Sequence, residues 1–238
     1  MKRSDAIIKF NSLINSLAYT KSIRDVFIDL IDITLYNLII LDDCNLKRDP
    51  INNYSDTDKK KLVELMVLLG DIMENNGDGL YDALGDIFME YLSFGKNGQF
   101  FTPQEISDMI AKILFSENKI LNGQSVNDPA CGSGRMFLAA AKVNRNFRFY
   151  GSDIDLVCVK MSVLNLALNN LLGEIVWGNP ITMDHYASFQ IGKCVISKFP
   201  FITIVKEDKS IHFKASVKQV LDTKSNSTPT QLNLFDNL

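Results

Sequence analysis

The chain has 238 residues, of which 46% are hydrophobic and 10% aromatic, and its formal net charge is −3. That length holds one large domain or a domain with an appended subdomain, and the apolar content suits a globular protein with a real core. The charge excludes a polycation, so a nucleic-acid partner would have to be held by a local patch.

The apolar runs, such as Tyr36–Asp42, fall far short of a membrane span. Acids and amides interrupt the opening MKRSDAIIKF, unlike a secretory signal. Cys44, Cys131, Cys158 and Cys194 lie far apart without a CxxC pair, and histidines are scarce, so neither a disulfide framework nor a metal site is expected. These features fit a reducing cytoplasm and no membrane partner.

In chain order, residues 1–95 read as a helical region. Ile7, Phe10, Ile14 and Leu17 share one helical face, and so do Leu62, Leu65, Met66, Leu69 and Ile72. Between them, SIRDVFIDLIDITLYNLIILDD is apolar on most sides, which predicts one helix packed within a bundle. Asn45–Lys61 predicts a loop by its Pro, Asn and Asp content. LYDALGDIFMEYLS continues the helices to about Ser93.

The character changes over 96–222. In GQFFTPQEISDMI, Thr102, Pro103 and Glu105 predict a helix start with a capping box. Phe100 and Phe101 before it suit either a hydrophobic staple or a ligand wall. QSVNDP and RFYGSDI are short strand-like runs, each ending at an acid, separated by the helical RMFLAAAKVNRN. DLVCVKMSVLNLALNNLLG and EIVWGN repeat the pattern. Such alternation predicts an α/β fold whose strands are parallel with right-handed crossovers. Residues 223–238 are polar until a last apolar cluster and read as a flexible tail.

The stretch DPACGSG follows the first of these strands and opens a helix. Ligands of parallel sheets bind beyond the carboxyl ends of the strands, where this turn sits. Gly132 and Gly134 allow close approach of the backbone, while Ala130 and Ser133 leave room. Asp153, ending the next strand, is placed to accept hydrogen bonds from ribose hydroxyls. The spacing is neither GxGxxG nor GxxxxGK(S/T), and Asp128 at the lip would repel a pyrophosphate. An acid there suits a cationic ligand end. A nucleoside with a cationic amino-acid tail describes S-adenosylmethionine. The bland alternative is a tight turn around a buried cysteine.

GQFFTP, DPACGSG and the strand-end acid together resemble the gamma-class amino-methyltransferases that methylate adenine N6 in DNA. The layout is most similar to the modification subunit of type I restriction-modification systems, over Gly98–Asn179. The resemblance implies a Rossmann-like, mostly parallel methyltransferase domain after the helical region. It also implies DNA as substrate and a specificity subunit as partner. Phe100, Thr102 and Pro103 would border the methionine end of S-adenosylmethionine. Asp128, Ala130, Gly132 and Gly134 would hold its amino-acid part, Asp153 its ribose, and Asn179 would lie near its adenine. Asp155 reads as the N-cap of the next helix.

One motif of that family is missing. It consists of Asp, Asn or Ser, two prolines and an aromatic residue, and it receives the extruded adenine. GNPITM keeps Asn179 and Pro180 alone. SKFPF follows a strand-like KCVI, but Lys198 replaces the acceptor and Phe199 the first proline. Few residues remain for the rest of a full sheet. Three readings stay open: an active minimal enzyme, a binding module that has lost catalysis, or a subunit needing a partner. No catalytic residue is assigned, Asn179 and Phe201 being the nearest candidates. Trp177, His185 and His212 read as packing, and the cations of Lys142–Phe149 as a solvated helix end. In the tail, Gln231, Leu232, Leu234 and Phe235 resemble the Gln-Leu-(Ser/Asp)-Leu-Phe peptide that docks on bacterial sliding clamps, with packing on its own domain the equal alternative.

Overall fold

The computed structural model describes residues 1–19, 21–91, 101–115, 124–214 and 218. The helical spacing at the start becomes α1 (Arg3–Leu17), which buries Ala6, Phe10, Ile14 and Leu17. It packs against α3 (Asp56–Glu74), whose Leu62, Leu65, Leu69 and Ile72 face inward. The polar segment read as a loop to Lys61 is shorter than expected. Ser55 caps α3 by accepting from the Asp58 N–H at 3.2 Å, and Asp56 and Asp58 occupy the first turn. Acids there are favourable beside the positive helix end, so a charged run continues into helix.

The long apolar segment also divides. α2 (Ile23–Tyr36) begins on the Ser22 cap and stops six residues before Asp42. Ile39–Asp42 is instead a strand, β1. Leu38 O accepts from the Ile202 N–H at 2.8 Å, and Asp43 N–H donates to Ile204 O at 2.9 Å. The partner strand lies far along the chain, so local periodicity could not reveal it. α4 (Ala83–Tyr91) and α5 (Gln104–Phe115) follow.

Next come β2 (Ser125–Asp128), α6 (Arg135–Val143), β3 (Arg148–Asp153), α7 (Leu156–Leu168) and β4 (Leu172–Asn179). β2, β3 and β4 pair in parallel, as the alternation predicts. β5 (Asp184–Lys193) and β6 (Pro200–Val205) then run antiparallel to their neighbours, and β6 meets β1 in parallel. The sheet is α/β and mostly parallel, in the order β1-β6-β5-β4-β3-β2. KCVI is the end of β5 and the turn after it, one element later than the strand itself.

One face carries the main core. Phe137 of α6 lies 5.7 Å from Phe149 of β3, and α7 crosses β3 to β6. α7 is buried on nearly all sides because α2 packs over it. There Lys160 and Asp32 form a buried ion pair at 2.5 Å. On the other face, Glu174 of β4 is buried and holds the segment after β6. It accepts from the Ser210 hydroxyl at 2.5 Å and from the Ile211 and His212 N–H groups at 3.1 and 3.2 Å. Among the described residues, no helix is long and apolar enough to cross a membrane.

Candidate functional site

The turn between β2 and α6 is held by its own backbone. Asp128 Oδ1 accepts from the Ala130 N–H at 3.0 Å, and Cys131 N–H donates to Ser152 O at 3.0 Å. Gly132 N–H donates to Asp153 Oδ2 at 2.9 Å, joining the turn to the end of β3. The other Asp153 oxygen accepts from the Asp155 N–H at 2.9 Å. Burial pushes the Asp153 carboxyl above its ordinary range, and these two N–H groups pull it partly back. Each carboxylate oxygen keeps a lone pair for a ligand hydroxyl. Asp155 accepts from the Val157 N–H at 2.8 Å and caps α7, as its position predicts.

The glycines have distinct reasons. Gly132 adopts φ +53°, and a Cβ there would stand 2.9 Å from Phe101 Cε1. Phe101 itself stacks on Phe88 at 5.4 Å, so it forms an aromatic wall over the turn. Gly134 adopts φ +83°, and a Cβ there would meet Ser162 of α7. The first admits a neighbouring ring and the second close helix packing. Cys131 is buried, which pushes its thiol far up. It is no nucleophile.

Behind the turn lies a polar network that sequence reasoning missed. Asp82, buried at the start of α4, accepts from Arg135 Nε at 2.8 Å, Ser133 Oγ at 2.5 Å, Asn165 Nδ2 at 2.8 Å and the Gly85 N–H at 2.8 Å. Arg135 also reaches Asp86 at 2.6 Å and the Thr102 carbonyl at 3.1 Å. Burial disfavours the guanidinium charge, but Asp82 and then Asp86 outweigh it and hold the arginine above its ordinary pKa. The only local signal was a pair of acids in YDALGD. Their partners lie about fifty residues away.

Asp128, Ala130, Gly132, Gly134 and Asp153 therefore converge. Asn179 ends β4 at the same end of the sheet and, with Asn127, Pro129, Ser152, Met183 and Phe213 among others, lines a cavity of about 230 Å³ to which none of the converging residues contributes. Thr102 attaches from behind through Arg135, and Pro103 borders a separate cavity of about 600 Å³ with Arg3 and Tyr81. Phe100 and the tail residues Gln231, Leu232, Leu234 and Phe235 lie outside the described residues. Trp177 donates to Ile154 O at 3.1 Å, and Lys142 pairs with Asp108 at 2.7 Å, both structural contacts.

Neither acceptor candidate is poised for a base. Asn179 Oδ1 already accepts from the Ile181 and Thr182 N–H groups at 3.0 and 3.3 Å. Phe201 pairs with Gly192, and Ile191 pairs with Gly173 at the beginning of β4. The turn carrying SKFPF thus sits at the opposite end of the sheet from Asp128 and Asp153. It cannot receive a base at the glycine turn.

The family model for N-6 DNA methylases matches residues 79–228, more than half of the chain. The type I restriction enzyme MpnII methylase subunit of Mycoplasma pneumoniae is 32% identical over 127 residues, 47% of this chain and 22% of that protein. The MjaVII methylase subunit of Methanocaldococcus jannaschii is 31% identical over 143 residues, 49% of this chain and 24% of that one. The chain thus spans about a quarter of the length of the curated relatives it matches. A solved type I methyltransferase subunit from Streptococcus thermophilus aligns with TM-score 0.36 and 20% identity, over 50% of this chain and 26% of that one.

Proposed function

The chain belongs to the N-6 DNA methylase family, and we propose that it is the cofactor-binding part of a DNA adenine-N6 methyltransferase of the type I restriction-modification kind. One relationship carries the reading. Two acids end adjacent parallel strands, and the glycine turn between them is tied to the second by the Gly132–Asp153 hydrogen bond. That donor set fits S-adenosylmethionine and disfavours a phosphate. Asp128 would face the ammonium group, Asp153 would accept from the ribose hydroxyls, and exposed Ala130 leaves room beside them. Gly132 and Gly134 would shape the turn, Phe100, Thr102 and Pro103 the methionine end, and Asn179 the adenine side. S-adenosylmethionine supplies an electrophilic methyl group on its sulfonium. The family's description supports DNA as substrate, and the relatives' names, each a subunit of a type I restriction enzyme, support a partner subunit. A specificity subunit as that partner and a cytoplasmic setting belong to the same reading.

Turnover is a separate matter. With Asn179 engaged locally and Phe201 at the far end of the sheet, the described residues place no base acceptor beside the turn. The isolated chain is expected to bind the cofactor and to transfer little.

Calorimetric titration with S-adenosylmethionine tests the cofactor site. Asp153→Ala removes two hydrogen bonds to a charged acceptor at roughly 1.5–3 kcal/mol each, so affinity should fall at least tenfold. No heat with the wild type, or equal affinity for both proteins, would overturn the reading. Radiolabelled transfer to unmethylated bacterial DNA, with nucleoside analysis, then measures turnover.

A further inference from the structure

Two acids at the start of α4 hold one edge of the Arg135 guanidinium. Nε donates to Asp82 Oδ2 at 2.8 Å, and Nη2 donates to Asp86 Oδ1 at 2.6 Å. Asp82 precedes α4 and accepts from the Gly85 N–H at 2.8 Å, while Asp86 lies in the first turn. A guanidinium is a rigid planar fork, so fixing two of its nitrogens also fixes where the third points. Nη1 points at the Thr102 carbonyl, 3.1 Å away, just before α5.

The same helix controls the preceding residue. Phe88 of α4 stacks on Phe101, with ring centroids 5.4 Å apart and planes at 28°. The Phe101 ring stands against the glycine turn, where a Cβ on Gly132 would lie 2.9 Å from its Cε1. Behind the turn, Ser133 Oγ donates to Asp82 Oδ2 at 2.5 Å, and Asn165 Nδ2 donates to Ser133 O at 2.7 Å. One helix therefore sets both sides of a single gap. Phe88 and Arg135 place the wall of Phe101 and Thr102, and Asp82 places the turn.

The two acids have different roles. The Asp82 side chain is fully buried and satisfies several interior donors, so the fold depends on it. The Asp86 side chain is 45% exposed and accepts from the Tyr81 hydroxyl besides Arg135. Without Asp86, the Asp82–Arg135 contact survives, but the guanidinium can turn about it. Nη1 then loses its aim at Thr102.

Resting on the cofactor reading above, we propose that Asp86 is a positioning residue for the amino-acid end of S-adenosylmethionine. It acts through Arg135 on the Thr102 carbonyl. It keeps Phe101 and Thr102 at the distance from the glycine turn that this end of the ligand requires. Asp86 itself faces a separate polar cavity with Arg3 and Tyr81 and touches no ligand. The nucleoside end rests on Asp153 and lies outside this device.

The test compares wild type, Asp86→Ala and Asp86→Asn by calorimetric titration with two ligands. One is S-adenosylmethionine, and the other is methylthioadenosine, which keeps the nucleoside and the sulfur but lacks the amino-acid tail. Asp86→Ala should weaken S-adenosylmethionine binding roughly tenfold, what one hydrogen bond to a charged group contributes, and leave methylthioadenosine affinity unchanged. Asp86→Asn keeps an acceptor oxygen for Nη2 and should recover most of that loss. Asp86→Ser, too short to reach Nη2, is a second variant with the expectation of Asp86→Ala. A ligand-free readout accompanies the titrations: para-fluorophenylalanine at Phe101 labels the ring stacked on Phe88. Its fluorine NMR shift should move in Asp86→Ala and return in Asp86→Asn. An unmoved shift, unchanged S-adenosylmethionine affinity, or equal loss for both ligands overturns the proposal alone. Failure of the wild type to bind either ligand overturns the cofactor reading, and the proposal with it.

Discussion

Arg135 and Asp82 meet at 2.8 Å in the interior, joining the helix after the glycine turn to α4 of the N-terminal region. Arg135 side-chain exposure is 8% and that of Asp82 is 0%, so the Asp82 charge depends on Arg135, which Asp86 also engages at 2.6 Å. Ser133, Asn165 and the Gly85 N–H share the same carboxylate. Asp82→Ala would leave the buried guanidinium with the more exposed Asp86 and the Thr102 carbonyl, and would strand several donors. It should destabilise the fold by roughly 3–5 kcal/mol, the range for breaking a buried pair from one side. Asp82→Asn keeps the shape and two acceptor lone pairs, so its loss should be smaller. Urea denaturation separates them. Equal stability of wild type and Asp82→Ala would show that the network is dispensable.

The path from sequence to this site was uneven, for physical reasons. The glycine turn and Asp153 were legible because a parallel strand leading into a helix leaves a local signature. Asp155 as a cap was legible for the same reason. Asp82, Arg135 and Glu174 were not, since their partners lie across the fold and a lone charged residue has no period. β1 was hidden inside an apolar run that suits helix and strand alike, and only pairing with β6 decides it. SKFPF stands in the right order along the chain, but that order says nothing about which end of a sheet an antiparallel strand reaches.

The two turn glycines should respond differently to alanine. Both occupy left-handed backbone, which costs a residue with a Cβ about 1–2 kcal/mol. At Gly132 the new methyl meets the Phe101 ring, a side chain that a smaller residue can replace. At Gly134 it meets Ser162 Oγ at 2.6 Å and Ser162 Cα at 3.2 Å, and backbone cannot be trimmed. Phe101→Leu should therefore recover part of the stability lost in Gly132→Ala and none of that lost in Gly134→Ala. A double-mutant cycle measures this. Identical recovery at both positions would contradict the packing argument.

Lys160 in α7 and Asp32 in α2 form a second buried pair at 2.5 Å, with Arg48 reaching the other Asp32 oxygen at 3.3 Å from the surface. Lys160→Met leaves Asp32 with that exposed partner alone. A loss on the order of 3 kcal/mol is expected. Adding Asp32→Leu removes the orphaned charge and should restore much of it. Thermal unfolding of the two single variants and the double variant gives the coupling. Simple additivity of the two losses would mean that the charges do not depend on each other.

The C-terminal cover of β4 predicts a pH response. Burial lowers the pKa of His212, which stacks on Tyr150 at 5.4 Å, while Glu174 pulls it the other way. Burial also lowers the pKa of His185, against Glu207 and then Glu174, with its ring 4.9 Å from Phe213. Both imidazoles are thus more readily protonated in the unfolded chain than in the folded one. Their contribution is fully present above the ordinary value of 6.5 and is lost as pH falls through the lowered folded values. Asp153 has the opposite sign. Its raised carboxyl favours folding below its ordinary value of 3.8, and that gain is lost as pH rises through the raised one, starting from a more acidic limit. The melting temperature should therefore hold steady above about pH 7 and decline below 6.5. Hydrogen exchange should show Ser210–Phe213 losing protection first, because both rings lie against that segment. His212→Gln should flatten the decline. A slope that is unchanged in His212→Gln and His185→Gln together would assign the acid sensitivity to other groups.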